Sequence, residues 1–402
     1  PGMEEDMKIR SVEVFLVNPP KYDKFDPLYG FSPVVAKINT DEGISGYGEA
    51  IAYGEGTQAI FGITQDLARV ILGSDPFDSE RIWERLRSGW VLTGGPITYS
   101  GVSAIDIALW DIKGKALGVP VYKLLGGKNR DKIKVYLSHT EFGWPDMGKP
   151  LGTPEDYYKS AKIASDAGYT ALKANFFRYD RDGKWADSSL YTEYKIDPDH
   201  LKLMSERVEA VQEALGPKGS VILDNNALTS VEGAIETIKA TENSRILFFE
   251  EPIVPNLPDS MKLVADNTDV PIATGERLST RWGFYPYLQN GSIRVVQPDL
   301  GNTGGLSEAK KIADLALLFG AQVSTHVCGG PLAEAAALHF AAAVPNFLLH
   351  EHHAMTFVPE NRKFAKYSYE AKNGYLDIPE IPGIGQELSE YAVSKSVSVL
   401  VE

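Results

Sequence analysis

The feature that most constrains this chain is a set of six acidic or imidazole residues from Asp224 to Glu351, each placed at the end of a short apolar run. Asp224 closes VILD, Glu250 closes ILFFE, Glu276 follows PIATG, Asp299 follows VVQP, His326 closes AQVSTH and Glu351 closes FLLHE. The steps between them are 26, 26, 23, 27 and 25 residues. A strand, a loop, a helix and a return loop consume about that much chain. The pattern therefore predicts one functional residue per β/α unit, at the C-terminal end of each strand. In a closed barrel those ends converge on one face, where such folds carry their chemistry.

The alternation of strand and helix runs from near Lys132 to about residue 355. IKVYLSH, ALKANFF and VILDNN are the first three predicted strands, and ILFFEEP, PIATGER, VVQPDL, AQVSTH and FLLHEH follow. Eight strands is a number that closes a barrel. Upstream, residues 9–17 and 34–39 followed by GISGYGEA predict an antiparallel meander, and residues 57–125 have helical period. Within 102–127, Ile105, Leu109 and Ile112 form a packing stripe, and Asp106 and Asp111 read as structural. The tract from Ala333 to Leu349, interrupted by Glu334, His339 and Pro345, reads as a buried helix feeding a strand. The domains expected are 1–130, a barrel at 131–355, and a tail at 356–402 that returns to the first domain.

The 40 basic and 54 acidic residues give a net charge of −14, which argues against nucleic acid or an anionic membrane as partner. A small anionic substrate stays open, because a bound cation can reverse the local field. One cysteine, Cys328, excludes an intrachain disulfide and fits a reducing cytoplasm. The opening PGMEEDMKIR has no apolar core, so no signal peptide is expected.

Asp224, Glu250 and Glu276 fall on three consecutive strands. Three carboxylates around one point need a counter-charge, and a hard divalent cation with oxygen ligands, Mg2+ foremost, supplies it. Asp299 beside His326 is a carboxylate that fixes an imidazole's tautomer, as a general base requires. Lys173, in ALKAN, points into the barrel mouth, where it can orient a carboxylate or take a proton; Asn175 and Asn226 can hydrogen-bond a hydroxylated substrate. In HEHH, an inward Glu351 leaves His350 and His352 facing the helices as structural residues. Strand one carries a single His139 and lacks the paired histidines of zinc barrel hydrolases; no Walker loop or serine elbow appears. The loop at 19–31 reads as a lid. With the segment around Tyr53 and the insertion at 178–199, it is expected to read substrate shape through Tyr22, Phe25, Tyr29, Tyr53 and Arg178.

Lys173-x-Asn175, Asp224-x-Asn226, Glu250-Glu251-Pro252, Gly275-Glu276-Arg277, Gln297-Pro298-Asp299, His326 and Glu351, with GYGEA and ALWDIKGK upstream, form a constellation covering nearly the whole chain. It resembles the mandelate racemase group of the enolase superfamily. That resemblance implies an α/β fold, a modified (β/α)7β TIM-type barrel with an α+β capping domain. It also implies Mg2+ on Asp224, Glu250 and Glu276, a His326–Asp299 base, Glu351 bonded to a substrate carboxylate, and a homo-oligomer from dimer to octamer. Asn175 stands where racemases of the group carry a second base, which favours dehydration over racemisation. Lys-x-Asn with GGP at 94–96 is similar to the acid-sugar dehydratases of the galactonate type, yet those place a histidine where this chain has Asn226. With one imidazole at the matched positions, His326 is expected to serve as both base and acid in a syn elimination from a sugar acid, giving a 2-keto-3-deoxy acid. An epimerase, racemase or cycloisomerase on the same scaffold is the alternative.

Overall fold

The computed structural model describes residues 7–19, 32–51, 56–89, 94–189 and 194–402. Strands β1 (Ile9–Val17), β2 (Val34–Thr40) and β3 (Ser45–Ala50) form the expected antiparallel meander. A late strand, Ser396–Val401, returns to pair antiparallel with β1, with Val12 opposite Val401 and Val17 opposite Ser396. Helices α1 (Thr57–Ile71), α2 (Ser79–Arg87) and α3 (Pro96–Ala116) complete this layer.

The helix α3 departs from the single stripe expected of it. It is buried on every side from Ser100 to Leu109, because it is wedged between the meander, α1, α2 and the barrel. Gly46 and Gly48 of β3 let it approach: a Cβ on Gly48 would overlap the Ala104 carbonyl, and one on Gly46 that of Ala108. The two aspartates on α3 are structural, as expected. Asp106 accepts from the Ser307 amide at 2.9 Å and its hydroxyl at 2.6 Å, and Asp111 from the amides of Tyr47 and Ile384.

All eight expected barrel strands are present: β4 (Lys132–Ser138), β5 (Ala171–Ala174), β6 (Ser220–Asp224), β7 (Ile246–Glu250), β8 (Ile272–Thr274), β9 (Val295–Val296), β10 (Gln322–Val323) and β11 (His350–His353). They pair in parallel in chain order, and β11 pairs with β4. A parallel bridge from Val323 to Phe347 joins β10 to the chain entering β11, which closes the ring. A helix of at least eight residues follows each of the first seven strands, and the eighth leads into a short 3₁₀ turn, as a (β/α)7β barrel requires. Some strands are shorter than expected; β5 ends at Ala174, before Phe176 and Phe177.

Inside the ring, Tyr136, Ala171, Ile222, Phe248, Ala273, Val295 and Leu349 pack into one apolar floor. Successive side chains alternate across a strand. Two residues further along six of these strands stand Ser138, Lys173, Asp224, Glu250, Gln297 and Glu351. The floor thus fixes the height at which polar chemistry begins.

The seam between the meander and the barrel is polar and buried. Glu49 of β3 accepts from the amides of Gly330, Leu332 (3.2 Å) and Ala333 (3.1 Å), at the N-terminus of the helix Pro331–Ala343. The Ile51 amide donates to the Gly301 carbonyl at 2.9 Å. Trp83 Nε1 donates to the Gly304 carbonyl at 2.8 Å.

Candidate active site

Lys173 stands at the centre of the polar layer and is fully buried rather than extended to solvent. Its Nζ lies 2.5 Å from Glu250 Oε1, 2.8 Å from Glu351 Oε1 and 3.5 Å from Asp224 Oδ2. Three carboxylates outweigh the burial that disfavours its charge, and its pKa is raised well above the ordinary lysine value. Glu351 is pushed the other way. Burial opposes its charge, but Lys173 and then His326 hold its carboxyl well below the usual range. Ser138 Oγ donates to Glu351 Oε1 at 2.6 Å and the Val327 amide to Oε2 at 2.8 Å, so this carboxylate is fixed.

Asp224, Glu250 and Glu276 form an arc at the ends of three neighbouring strands. Burial, aided by the other acids and opposed by Lys173, pushes Glu250 well above its ordinary range. That is the behaviour of a chamber with more negative than positive charge, built from hard oxygen donors, and it fits a divalent cation such as Mg2+. The three acids do not yet form one cage, since Lys173 and Gln297 hold the two oxygens of Glu250 and His326 holds one of Glu276. Among the described residues, the group whose ligand atoms all lie within 4.8 Å is instead His139, Glu351 and His353.

The dyad has the expected geometry. Asp299 and His326 face each other across a parallel bridge, and His326 Nδ1 donates to Asp299 Oδ2 at 2.6 Å. Its Nε2 lies 3.1 Å from Glu276 Oε2. Burial disfavours the imidazolium, but Glu276 first and Asp299 next raise the His326 pKa well above its usual value. The same contact, with Arg277, lowers Glu276 to about 2 against the opposing effect of burial. Behind it, Glu251 accepts from the Thr274 hydroxyl and pairs with Arg277 Nε at 3.2 Å.

The amide residues are joined to the arc. Asn226 donates from its backbone N–H to Asp224 Oδ1 at 2.7 Å and from its side chain to Oδ2 at 3.0 Å. Its own oxygen accepts from Asn175 Nδ2 at 2.9 Å and from Arg178. Arg178, largely buried, also lies 3.1 Å from Glu141 Oε1. Tyr22, Phe25, Tyr29 and Tyr53 lie outside the described residues.

His350 and His352 face outward as expected; His352 Nδ1 meets the Tyr169 hydroxyl at 2.8 Å, and its ring packs on Phe357. Two other imidazoles enter the mouth. His353 points inward two residues beyond Glu351, with its ring centroid 4.8 Å from that of His139. His139 Nδ1 lies 2.9 Å from Glu141 Oε1, and its Nε2 lies 3.6 Å from Asp224 Oδ2. The mouth thus holds imidazoles besides His326, at positions outside the motif on which its double role was expected. Strand alternation turns Tyr136 and Ser138 inward and would turn His139 out. A left-handed backbone at His139, φ 57°, reverses it, and no sequence pattern signals that break.

Residues 26–126 match the family described as the mandelate racemase / muconate lactonizing enzyme N-terminal domain, and residues 156–392 match the enolase C-terminal domain-like family. The chain is 32% identical over 362 residues to a D-galactonate dehydratase of Ralstonia nicotianae, covering 89% of each. It is 32% identical over 370 residues to a D-xylonate dehydratase of Haloferax volcanii, covering 90% of this chain and 84% of that one. Among solved structures, an enolase superfamily member from Salmonella Typhimurium superposes with a TM-score of 0.93 at 44% identity, over 98% of this chain and 100% of the other. No helix among the described residues is long and apolar enough to cross a membrane. With matches to both domains, the larger spanning more than half the sequence, the chain belongs to the mandelate racemase group of the enolase superfamily.

Proposed function

We propose that this protein is a hydro-lyase, a Mg2+-dependent dehydratase that converts an aldonic or aldaric acid to its 2-keto-3-deoxy acid. The observation that carries the reading is the His326–Asp299 pair set against the Asp224–Glu250–Glu276 arc, with Lys173 and Glu351 beside it. The naming of relatives at 32% identity as galactonate and xylonate dehydratases supports the substrate class.

In this reading Asp224, Glu250 and Glu276 hold Mg2+, which when bound compensates the charge that develops on the substrate carboxylate. The remaining steps belong to side chains. Glu351 is held by Ser138 and the Val327 amide close to the substrate carboxylate, and Lys173 steadies Glu351 and Glu250. His326 Nε2, oriented by Asp299, takes the proton from the carbon next to the carboxylate. The electron pair left behind forms an enediolate, and loss of the neighbouring hydroxyl gives an enol that ketonises. Asn175, Asn226 and Arg178 offer hydrogen bonds to the remaining hydroxyls, and the protein acts in the cytoplasm as a homo-oligomer.

Purified protein with Mg2+ should be screened against a library of aldonic and aldaric acids, detecting 2-keto acid with semicarbazide, alongside His326→Asn. A substrate whose product vanishes in the variant supports the reading. Deuterium in recovered substrate with no keto acid from any library member would replace it with an isomerase.

A further inference from the structure

A dehydration moves two protons, one off the carbon next to the carboxylate and one onto the departing oxygen, and the dehydratase reading above, on which this inference rests, accounts for the first. His326 is built for it, with Nδ1 on a buried carboxylate and Nε2 at the Glu276 end of the acid arc. A second imidazole is built the same way. His139 has Nδ1 on the buried Glu141 at 2.9 Å and Nε2 beside Asp224, at the other end of the arc. Glu141 is itself pinned, since Oε1 also meets Arg178 Nε at 3.1 Å and the Asn175 amide at 3.3 Å.

The plain alternative is a structural histidine, and this barrel shows what those look like. His350 and His352 sit in regular strand and turn outward into packing. His139 is held at φ 57° and ψ 46°, a conformation that non-glycine residues adopt rarely and that aims its ring into the mouth. Its Nε2 contact with Asp224, at 3.6 Å, is longer than a hydrogen bond, so no hydrogen bond to that carboxylate holds this nitrogen back from a substrate oxygen.

We propose that His139, held by Glu141, is the catalytic acid that protonates the leaving hydroxyl, while His326 is the base. His326 Nε2 takes the C2 proton, and the C–H electron pair passes into the enediolate. That pair then forms the C2–C3 double bond as the C3–O bond breaks, and the proton from His139 Nε2 leaves with the oxygen as water. On ketonisation the His326 proton goes to C3, and the enol O–H proton returns through solvent to His139. The sum is substrate to keto acid plus water, with no oxidant or reductant.

The test uses the Mg2+-loaded protein in deuterium oxide with the acid found by the screen. Both deuterium entry at C2 of recovered substrate and keto acid formation are measured for wild type, His139→Asn, Glu141→Gln and His326→Asn. His139→Asn should lose keto acid formation by about 10²- to 10⁴-fold, the usual size of an acid–base contribution, yet keep C2 exchange near the wild-type rate. Glu141→Gln should fall between. With the 3-deoxy-3-fluoro analogue, whose fluoride leaves without a proton, His139→Asn should match wild type. His326→Asn should lose exchange and elimination together.

Full elimination in His139→Asn would overturn the proposal and leave the dehydratase reading intact. So would loss of exchange along with elimination in a folded variant, unless the fluoro analogue is still turned over; where His139→Asn does not fold, wild-type elimination in Glu141→Gln overturns it. Wild-type exchange without elimination on any acid would sink the dehydratase reading itself, and this inference with it.

Discussion

Two layers of one barrel, two residues apart on the same strands, could hardly differ more. The lower is the apolar ring of Tyr136, Ala171, Ile222, Phe248, Ala273, Val295 and Leu349; the upper holds Lys173, Asp224, Glu250, Gln297 and Glu351. Both are buried. The lower layer is stable by itself through packing and exclusion of water. The upper survives burial only because each charge meets an opposite charge or a hydrogen-bond donor, as Lys173 meets three acids and Glu351 meets Ser138, the Val327 amide and Lys173. The difference teaches that strand alternation supplies the positions, and that mutual compensation among the charges makes them habitable.

The upper layer, unlike the lower, is expected to depend on an added cation. Removing divalent ions with a chelator should reduce keto acid formation to background, with recovery on adding Mg2+. Unchanged turnover in chelator would end the Mg2+ assignment. Next in size is Lys173→Met, which strands Glu250 and Glu351 without their cation. Denaturant unfolding should show a loss of about 3–5 kcal/mol, and no loss would mean that the acids compensate one another.

Glu49 makes a contrast, because it is a buried carboxyl held by the amides of a helix N-terminus, with no ion pair to it among the described residues. Burial outweighs its three backbone donors and pushes its pKa up to about 7 from the usual 4.5. A raised acid binds its proton more tightly in the folded state, so its contribution is fully present below about pH 4.5 and is lost as pH rises to about 7. Glu49→Gln should therefore gain about 3 kcal/mol relative to wild type between those limits, read from unfolding midpoints across pH. A flat difference would show that Glu49 titrates normally. The smallest effect belongs to the floor: Phe248→Leu should lower stability by about 1–2 kcal/mol while C2 exchange stays within a few-fold. A larger loss of exchange would mean that the floor tunes the site as well as supporting it.

Much of this was legible in the sequence, because one functional residue per β/α unit repeats a spacing that few folds can absorb. The eight strands, the acid arc and the His326–Asp299 pair all follow from that spacing. Contacts between distant segments and departures from strand geometry were not legible. The inward turn of His139 depends on a left-handed backbone, and Gln297 on Glu250 depends on strand register. Glu49 reaches a helix 281 residues away. The burial of α3 on all sides depends on a barrel surface that periodicity within α3 cannot report.

The end of β3 has a mechanical consequence. Its Glu49 is tied to the amides just past His326, and Ile51 to the carbonyl of Gly301, just past Asp299. One strand of the capping layer therefore joins the loop that follows Asp299 to the loop that follows His326. A single strand outside the barrel is thus hydrogen-bonded to both loops, as a tie between them.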